Sequence, residues 1–207
     1  MLDVRELGTL QLDALREVAN IGSGHAATAL SQLTGRRIWV DAPQIRVVPV
    51  EDVGMLTGRA DEIVACVVMQ VLGDLAGRTI QVFPEHTASR LAGILLRKGD
   101  VPFPDGFGEL EKSALKEAGN ILGSAYLNAL SDFLGMMLLT SVPGLAIDQA
   151  GAALTSGSIM DASHGDHLIC IDTIFKMDEE QQALKGHFLL VPDPDSLEVI
   201  LRAIRLA

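Results

Sequence analysis

The sequence predicts an α+β protein built from an internal duplication of one α-β-β-β-α unit, its long helices packed on a shared, mostly antiparallel sheet. Three observations carry this reading. One segment recurs at an offset of one hundred, apolar residues follow helical spacing in both copies, and short apolar runs bounded by glycine and proline lie between. Between 13–35 and 113–135, without a gap, nine of twenty-three positions are identical: Ala14, Leu15, Glu17, Asn20, Ile21, Ala29, Leu30, Ser31 and Gly35. Two such units predict a pseudo-two-fold axis within a single domain spanning 1–207, with repeats at 9–97 and 108–207.

The first helix is expected over 9–34 and its counterpart over 109–134, each stopped by a glycine, Gly35 or Gly135. Strands are expected at 36–50, 61–72 and 76–83, and then at 136–148, 153–160, 167–176 and 185–191. Runs such as Ile63–Met69 predict strands buried on at least one face. A shorter helix introduced by proline closes each half, over 85–97 after Pro84 and 194–205 after Pro192. The segment Lys98–Phe107, with Gly99, Pro102, Pro104 and Gly106, reads as the linker, and the polar residues following Met177 as a hairpin.

Each residue of an α-helix turns ~100°. With Glu17 at zero, Asp13, Asn20, Ile21 and Gly24 all fall within about 60° of it. Leu12, Leu15, Ala19, Gly22, Ala26, Leu30 and Leu33 fall on the opposite side and are expected to face the core. In the second helix Leu115, Gly119, Leu122, Tyr126, Leu130 and Phe133 are expected inward, and Ser113, Glu117, Asn120 and Ile121 outward. Mid-helix Gly22 is explained by close packing; Gly24, on the outward face, would let another molecule approach the backbone.

Composition narrows the functional classes. Hydrophobic residues make up 48% of 207, enough for a sizeable core. The longest apolar run is far shorter than the ~20 residues of a membrane helix. The start, Met1-Leu2-Asp3-Val4-Arg5-Glu6, lacks the pattern of an export signal, so the expected compartment is the cytoplasm. A net charge of −11 without clustered Lys and Arg argues against nucleic acid. Cys66 and Cys170 sit in apolar runs and read as small core hydrophobes rather than a redox pair or metal ligands. His25, His86, His164, His167 and His187 show no metal-like pairing; His164-x-x-His167 reads as polarity in a turn, and no metal site is expected. Gly22-Ser23-Gly24-His25 lies within a helix and lacks the full phosphate-loop pattern.

The chemical signal lies in the polar residues of the repeat. The first copy reads Asp13-x-x-x-Glu17-x-x-Asn20 and the second Ser113-x-x-x-Glu117-x-x-Asn120. Pro43 and Pro143 follow their asparagines after twenty-two residues. A surface Glu and Asn are ordinarily just solvated, and a duplicated core would keep apolar positions while polar ones drift. Here a carboxylate and a carboxamide three apart, neighbours on one helix face, are kept twice at identical spacing.

This twofold pattern resembles the signature of the CheC family of bacterial chemotaxis phosphatases, whose relatives include CheX and FliY. The resemblance covers essentially the whole chain, and two motif copies at a length near two hundred residues are most similar to the CheC branch. It implies hydrolysis of the aspartyl phosphate on the response regulator CheY, ending the signal to the flagellar motor. By position, Asn20 and Asn120 would orient the attacking water. Glu17 and Glu117 would dock against a lysine of the regulator, with general base as the rival role. Asp13 and Ser113 would support the site, and Pro43 and Pro143 would shape the strand beside each helix. The resemblance implies no cofactor of the chain's own, since Mg²⁺ would sit in phosphorylated CheY. It also implies a second partner, the receptor deamidase CheD, for which the stretch holding Asp148 and Gln149 is a candidate surface; Ile21 and Ile121 are candidate partner contacts. The alternative is a non-catalytic adaptor that sequesters phosphorylated CheY or CheD. A monomer with internal pseudo-symmetry is expected, because duplication already supplies the symmetry of a dimer.

Overall fold

The computed structural model describes residues 8–41, 43–99, 101–102, 105–155, 167–177 and 183–206. The helices are α1 (Thr9–Thr34), α2 (Glu85–Leu95), α3 (Glu109–Leu134), α4 (Ala150–Thr155) and α5 (Pro194–Leu206), with a 3-10 helix at Val50–Met55. The strands are β1 (Ile38–Val40), β2 (Gln44–Pro49), β3 (Ile63–Gly73), β4 (Gly77–Pro84), β5 (Leu138–Thr140), β6 (Gly144–Gln149), β7 (His167–Met177) and β8 (Leu184–Pro192). The two long helices keep the expected bounds. Gly35 (φ 68°) and Gly135 (φ 64°) end them in the left-handed conformation, each preceded by a serine, Ser31 or Ser131, whose carbonyl accepts the closing N–H of Gly35 or Met136. At their starts a side chain reaches back one turn: Gln11 Oε1 accepts from Gly8 N at 2.6 Å, and Glu111 Oε2 from Gly108 N at 3.1 Å.

The halves interleave. The strand order is β1-β7-β8-β4-β3-β5, with β2 following β1 along β7 and β6 following β5 along β3. Every pairing is antiparallel. The outer strands of each half are therefore hydrogen-bonded to a strand of the other, with the β4–β8 pair at the centre. The pairings register Cys66 and Cys170 as counterparts: Cys66 faces Ala146 across β6, and Cys170 faces Arg46 across β2.

The single strand expected at 36–50 is split. Val40 pairs with Phe175 and Gln44 with Asp172, so three residues of one strand oppose two of the other. The second half repeats this: Thr140 pairs with Val71 and Gly144 with Val68. These are β-bulges, and each holds a motif proline, which has no N–H to give a regular ladder. Asp41 N donates to Ile174 O and Ser141 N to Gln70 O, both at 3.0 Å, anchoring the two bulges alike.

Two cores result. On one sheet face, the amino-terminal half of α1 (Leu15, Val18, Ala19) packs with the carboxy-terminal half of α3 (Tyr126, Leu127, Leu130) over Ile169 and Ile171. Ala26 and Leu30 of α1 pack with Leu115, Ala118 and Leu122 of α3 over Ala65 and Val67. The long helices thus lie antiparallel. They touch closely where Gly22 meets Tyr126: a Cβ on Gly22 would lie 2.6 Å from the Tyr126 ring. Gly119 is equally constrained: a Cβ there would lie 2.5 Å from Val67 Cγ1. Ser23 Oγ, Tyr126 OH and Thr173 Oγ1 form a buried chain with 2.9 Å at each step, tying both helices to β7.

The opposite face is covered by the 3-10 helix and α4, which bury Val53, Ala150, Ala153 and Leu154 on Val64, Cys66, Cys170 and Leu189. Here the sequence reading needs correction. The strand expected at 153–160 is helical as far as Thr155, and 156–160 fall outside the described residues. Ala150, Ala153 and Leu154 have helical rather than alternating spacing, and alanine favours helix. The 3-10 helix at the same offset was not expected, because six residues are too few for a periodic signal. Leu33, expected inward, is 45% exposed, and Leu12 is half-buried. The hairpin after Met177 and His164 lie outside the described residues; His167 opens a strand rather than lying in a turn. Both cysteines are free and buried, as expected, and burial pushes the Cys66 thiol up to about 12.

An ion-paired clasp also joins the halves. Arg46 of β2 donates twice to Asp172 of β7, from Nε at 2.6 Å and Nη2 at 2.9 Å, and His187 Nδ1 lies 2.6 Å from the same carboxylate. Burial pushes the Asp172 pKa up, but the hydrogen bonds from His187 and Arg46 and their charges outweigh it and hold this carboxyl well below the usual range. A depressed folded-state pKa means the stabilisation is present above the unfolded value and is lost as pH falls below it. Thermal melts should therefore show wild type losing stability from about pH 4 downward, with a shallower loss in Asp172→Asn, which starts about 1–3 kcal/mol less stable at pH 7. On α1, Gly22→Ala should destabilise by about 1–3 kcal/mol through overpacking on Tyr126. Gly24→Ala, where a Cβ meets nothing within 4 Å, should instead stabilise by about 1 kcal/mol. Denaturant midpoints of the two variants check the opposite signs.

Candidate functional site

Each long helix buries its Leu/Ala/Gly stripe and turns its motif residues away from the sheet. Asp13, Glu17, Asn20 and Gly24 are exposed, and Ile21 is 41% exposed beside them. On α3, Ser113 and Glu117 are exposed, and Asn120 is half-buried. Ile121 differs from expectation: it packs partly against the core that includes Leu145 and Ile147 of β6. A helix rises ~1.5 Å per residue, so with Gly22 opposite Tyr126 the two Glu-Asn pairs lie about 16 Å apart along the helix axes. They form two separate candidate sites facing away from the sheet, on either side of the Gly22–Tyr126 contact level of one helix pair.

The strand beneath each site belongs to the same half as its helix. Ile45 and Val47 of β2 pack against the core built from Leu15 and Val18, under Glu17 and Asn20. Leu145 and Ile147 of β6 do the same beside Ile121. Pro43, buried, and Pro143, half-buried, stand in the bulges that lead into these strands. Asp148 and Gln149 are exposed at the end of β6.

The two sites are not electrostatic copies. Asp13 forms an ion pair with Arg16 one turn on, whereas Ser113 carries no charge. One turn beyond Asn120, Ser124 Oγ donates to Asn120 Oδ1 at 3.5 Å. The corresponding position in the first helix is Gly24, where the backbone stands open. The second carboxamide therefore has a local partner that the first lacks.

Chemically, each pair offers a carboxylate and a carboxamide within one helical turn. A carboxamide can accept from a water molecule and donate to it, fixing the direction of its lone pair. Neither helix face presents a Cys beside the pair, and the exposed His25 falls about 80° around the helix from Glu17, on the far side from Asn20. Among the described residues the structure does gather Cys170, Asp172 and His187, with ligand atoms within 4.8 Å of one another. The Arg46 guanidinium already occupies both carboxylate oxygens, so the grouping is an ion-paired clasp rather than a cation site. Sequence spacing could not reveal it, since β7 and β8 bring Asp172 opposite His187 only in the sheet. Leu10 and Leu110 were also passed over. Both are exposed on the motif face, and the available signal was their recurrence at the offset of one hundred. No helix among the described residues is long and apolar enough to cross a membrane.

Known proteins share this fold. The profile of the CheC-like family matches residues 10–45 and 110–147, the two segments that hold the motif helices and their bulged strands. The chain is 36% identical over 195 residues to the CheY-P phosphatase CheC of Bacillus subtilis, covering 94% of this chain and 93% of that protein. The crystal structure of FliY from Thermotoga maritima superposes with a TM-score of 0.78 at 19% identity, covering 97% of this chain and 98% of that one. The middle domain of FliM from H. pylori superposes with a TM-score of 0.67 at 11% identity, covering 95% and 99%. At such low identities the last two establish the fold alone. With its doubled Glu-Asn helices, its bulged proline strands and this level of identity along nearly its full length, the chain belongs to the CheC family.

Proposed function

We propose that this chain is a phosphatase that hydrolyses the aspartyl phosphate of the chemotaxis response regulator CheY and so ends its signal to the flagellar motor. The observation that carries the reading is the pair of outward Glu-Asn sites, kept twice on rigid helices. The likeness to a curated CheY-P phosphatase supports it.

The chemistry asks little of the chain. Hydrolysis of an acyl phosphate needs positioning and charge neutralisation rather than covalent help. Because the bond is labile, a ~10²-fold acceleration, about 2.7 kcal/mol, is a useful gain. Asn20 or Asn120, inserted beside the phosphoryl group, accepts a hydrogen bond from water and holds its lone pair in line with phosphorus. Glu17 or Glu117, one turn earlier, docks against a cationic side chain of the regulator. Both carboxylates are solvent-facing, free to meet a cation on a docking partner, which favours this role over that of general base. Mg²⁺ belongs to the regulator's own site in this reading.

Decay of phosphorylated CheY tests the proposal. Asn20→Ala and Asn120→Ala should each leave part of the acceleration, and the double variant should abolish it. No acceleration by wild type, with binding of the regulator retained, would favour the adaptor instead. In the Asn20→Ala background, Ser124→Ala should slow decay about threefold, by freeing the Asn120 carboxamide. For CheD, the exposed Asp148-Gln149 tip of β6 is the proposed contact, and Asp148→Lys should weaken capture of CheD while leaving CheY-P hydrolysis unchanged.

A further inference from the structure

Two leucines stand on the motif faces without an account so far. Leu10 is 84% exposed and Leu110 is 65% exposed, among the most solvent-facing large apolar residues of the described chain. They occupy the same position in the two copies, whereas their neighbours differ: Thr9 against Glu109, Gln11 against Glu111. Seven residues before each glutamate places them about 20° around the helix from it and about 10 Å along the axis. Leu10, Asp13, Glu17, Asn20 and Gly24 thus form one continuous stripe, as do Leu110, Ser113, Glu117, Asn120 and Ser124.

Nothing among the described residues calls for apolar side chains there. Both leucines point away from the sheet, and neither belongs to a core cluster. At α3 the preceding turn is described: Phe107 is buried, yet Leu110 next to it remains open, so the incoming chain does not cover it. An isolated exposed leucine needs no explanation, but the same one beside both chemical sites does.

We propose that Leu10 and Leu110 are apolar anchors for the phosphorylated receiver domain on which each Glu-Asn pair acts, an inference that rests on the phosphatase reading. The occupant follows from continuity with the site. A partner whose phosphoryl group reaches Asn20 must lie against the same helix face, and the amino-terminal turns of that face present Leu10 as their large apolar side chain. The glutamate supplies the charged contact, and the leucine two turns earlier supplies buried area on a rigid support. The anchor strengthens binding without touching the reacting atoms, so it acts on affinity and not on the chemical step.

The test isolates one site at a time. Leu10→Ser is placed in the Asn120→Ala background and Leu110→Ser in the Asn20→Ala background, and phosphoreceiver decay is followed against receiver concentration. Each serine variant should raise the half-saturating concentration about tenfold, the low end of what burial of one leucine provides. The maximal rate should not change, and Leu→Met at either position should restore affinity. An unchanged half-saturating concentration, or a fall in maximal rate alone, overturns the anchor. If the single-site parents produce no acceleration, the phosphatase reading has failed by itself. Binding of beryllofluoride-treated receiver to the two leucine variants then decides the anchor, and unchanged binding overturns it. Sedimentation of wild type as a dimer that Leu10→Ser or Leu110→Ser dissociates would assign the leucines to a second copy of this chain and overturn it as well. Thermal melts matching the parents confirm that any change arises at an intact helix.

Discussion

The close approach of α1 and α3 at Gly22 and Tyr126 sets the geometry on which both sites depend. A side chain at Gly22 would collide with the tyrosine ring, so its absence lets two 26-residue helices pack as one antiparallel pair. The tyrosine hydroxyl then reaches Ser23 on one side and Thr173 on the other, locking the pair to the sheet with a satisfied buried polar chain. Because the helices are fixed in rotation, Glu17 and Asn20, and Glu117 and Asn120, are held outward without any loop to order. A site carried on a packed helix keeps its geometry more sharply than one on a mobile connection.

The sheet adds a second constraint. Each half supplies outer strands that complete the other half's edge, so neither set of strands closes its hydrogen-bond ladder by itself. The bulges at Pro43 and Pro143 stand where those strands begin their run beneath the motif helices. An extra residue there shifts the register by one and, since side chains alternate, decides which residues meet the helix. Ile45 and Val47, and Leu145 and Ile147, reach the core by this means. A proline twenty-three positions from an asparagine thus has a structural logic: it sets the floor of the site from within the same half.

Symmetry is broken where polar groups replace apolar ones. The pairings make Asp172 and His187 of the second half the counterparts of Val68 and Ile80 of the first, and Arg46 of β2 the counterpart of Ala146 of β6. One half is thus joined to its neighbour by an ion-paired clasp and the other by apolar contact. The sites diverge as well, with Gly24 against Ser124 and Asp13 against Ser113. The Glu-Asn spacing is the same in both halves, while the surroundings of each carboxamide differ.

What the sequence alone determined was what local spacing encodes. Helical periodicity and terminal glycines located α1 and α3, and the repeated Glu-Asn spacing identified their outward face, because 3.6-residue periodicity assigns a face without knowledge of neighbours. It misjudged the six-residue helix at Ala150–Thr155, too short to show a period, and the facing of Leu33 and Ile121, which depends on which neighbouring side chains cover each position. Only the tertiary structure decided the exchange of outer strands, the bulges, the clasp of Arg46 with Asp172 and His187, and the exposure of Leu10 and Leu110. The first three arise from contacts between residues far apart in the chain, which a one-residue shift in strand register, invisible to composition or periodicity, would change; the exposure of the two leucines follows from which helix faces the fold leaves uncovered.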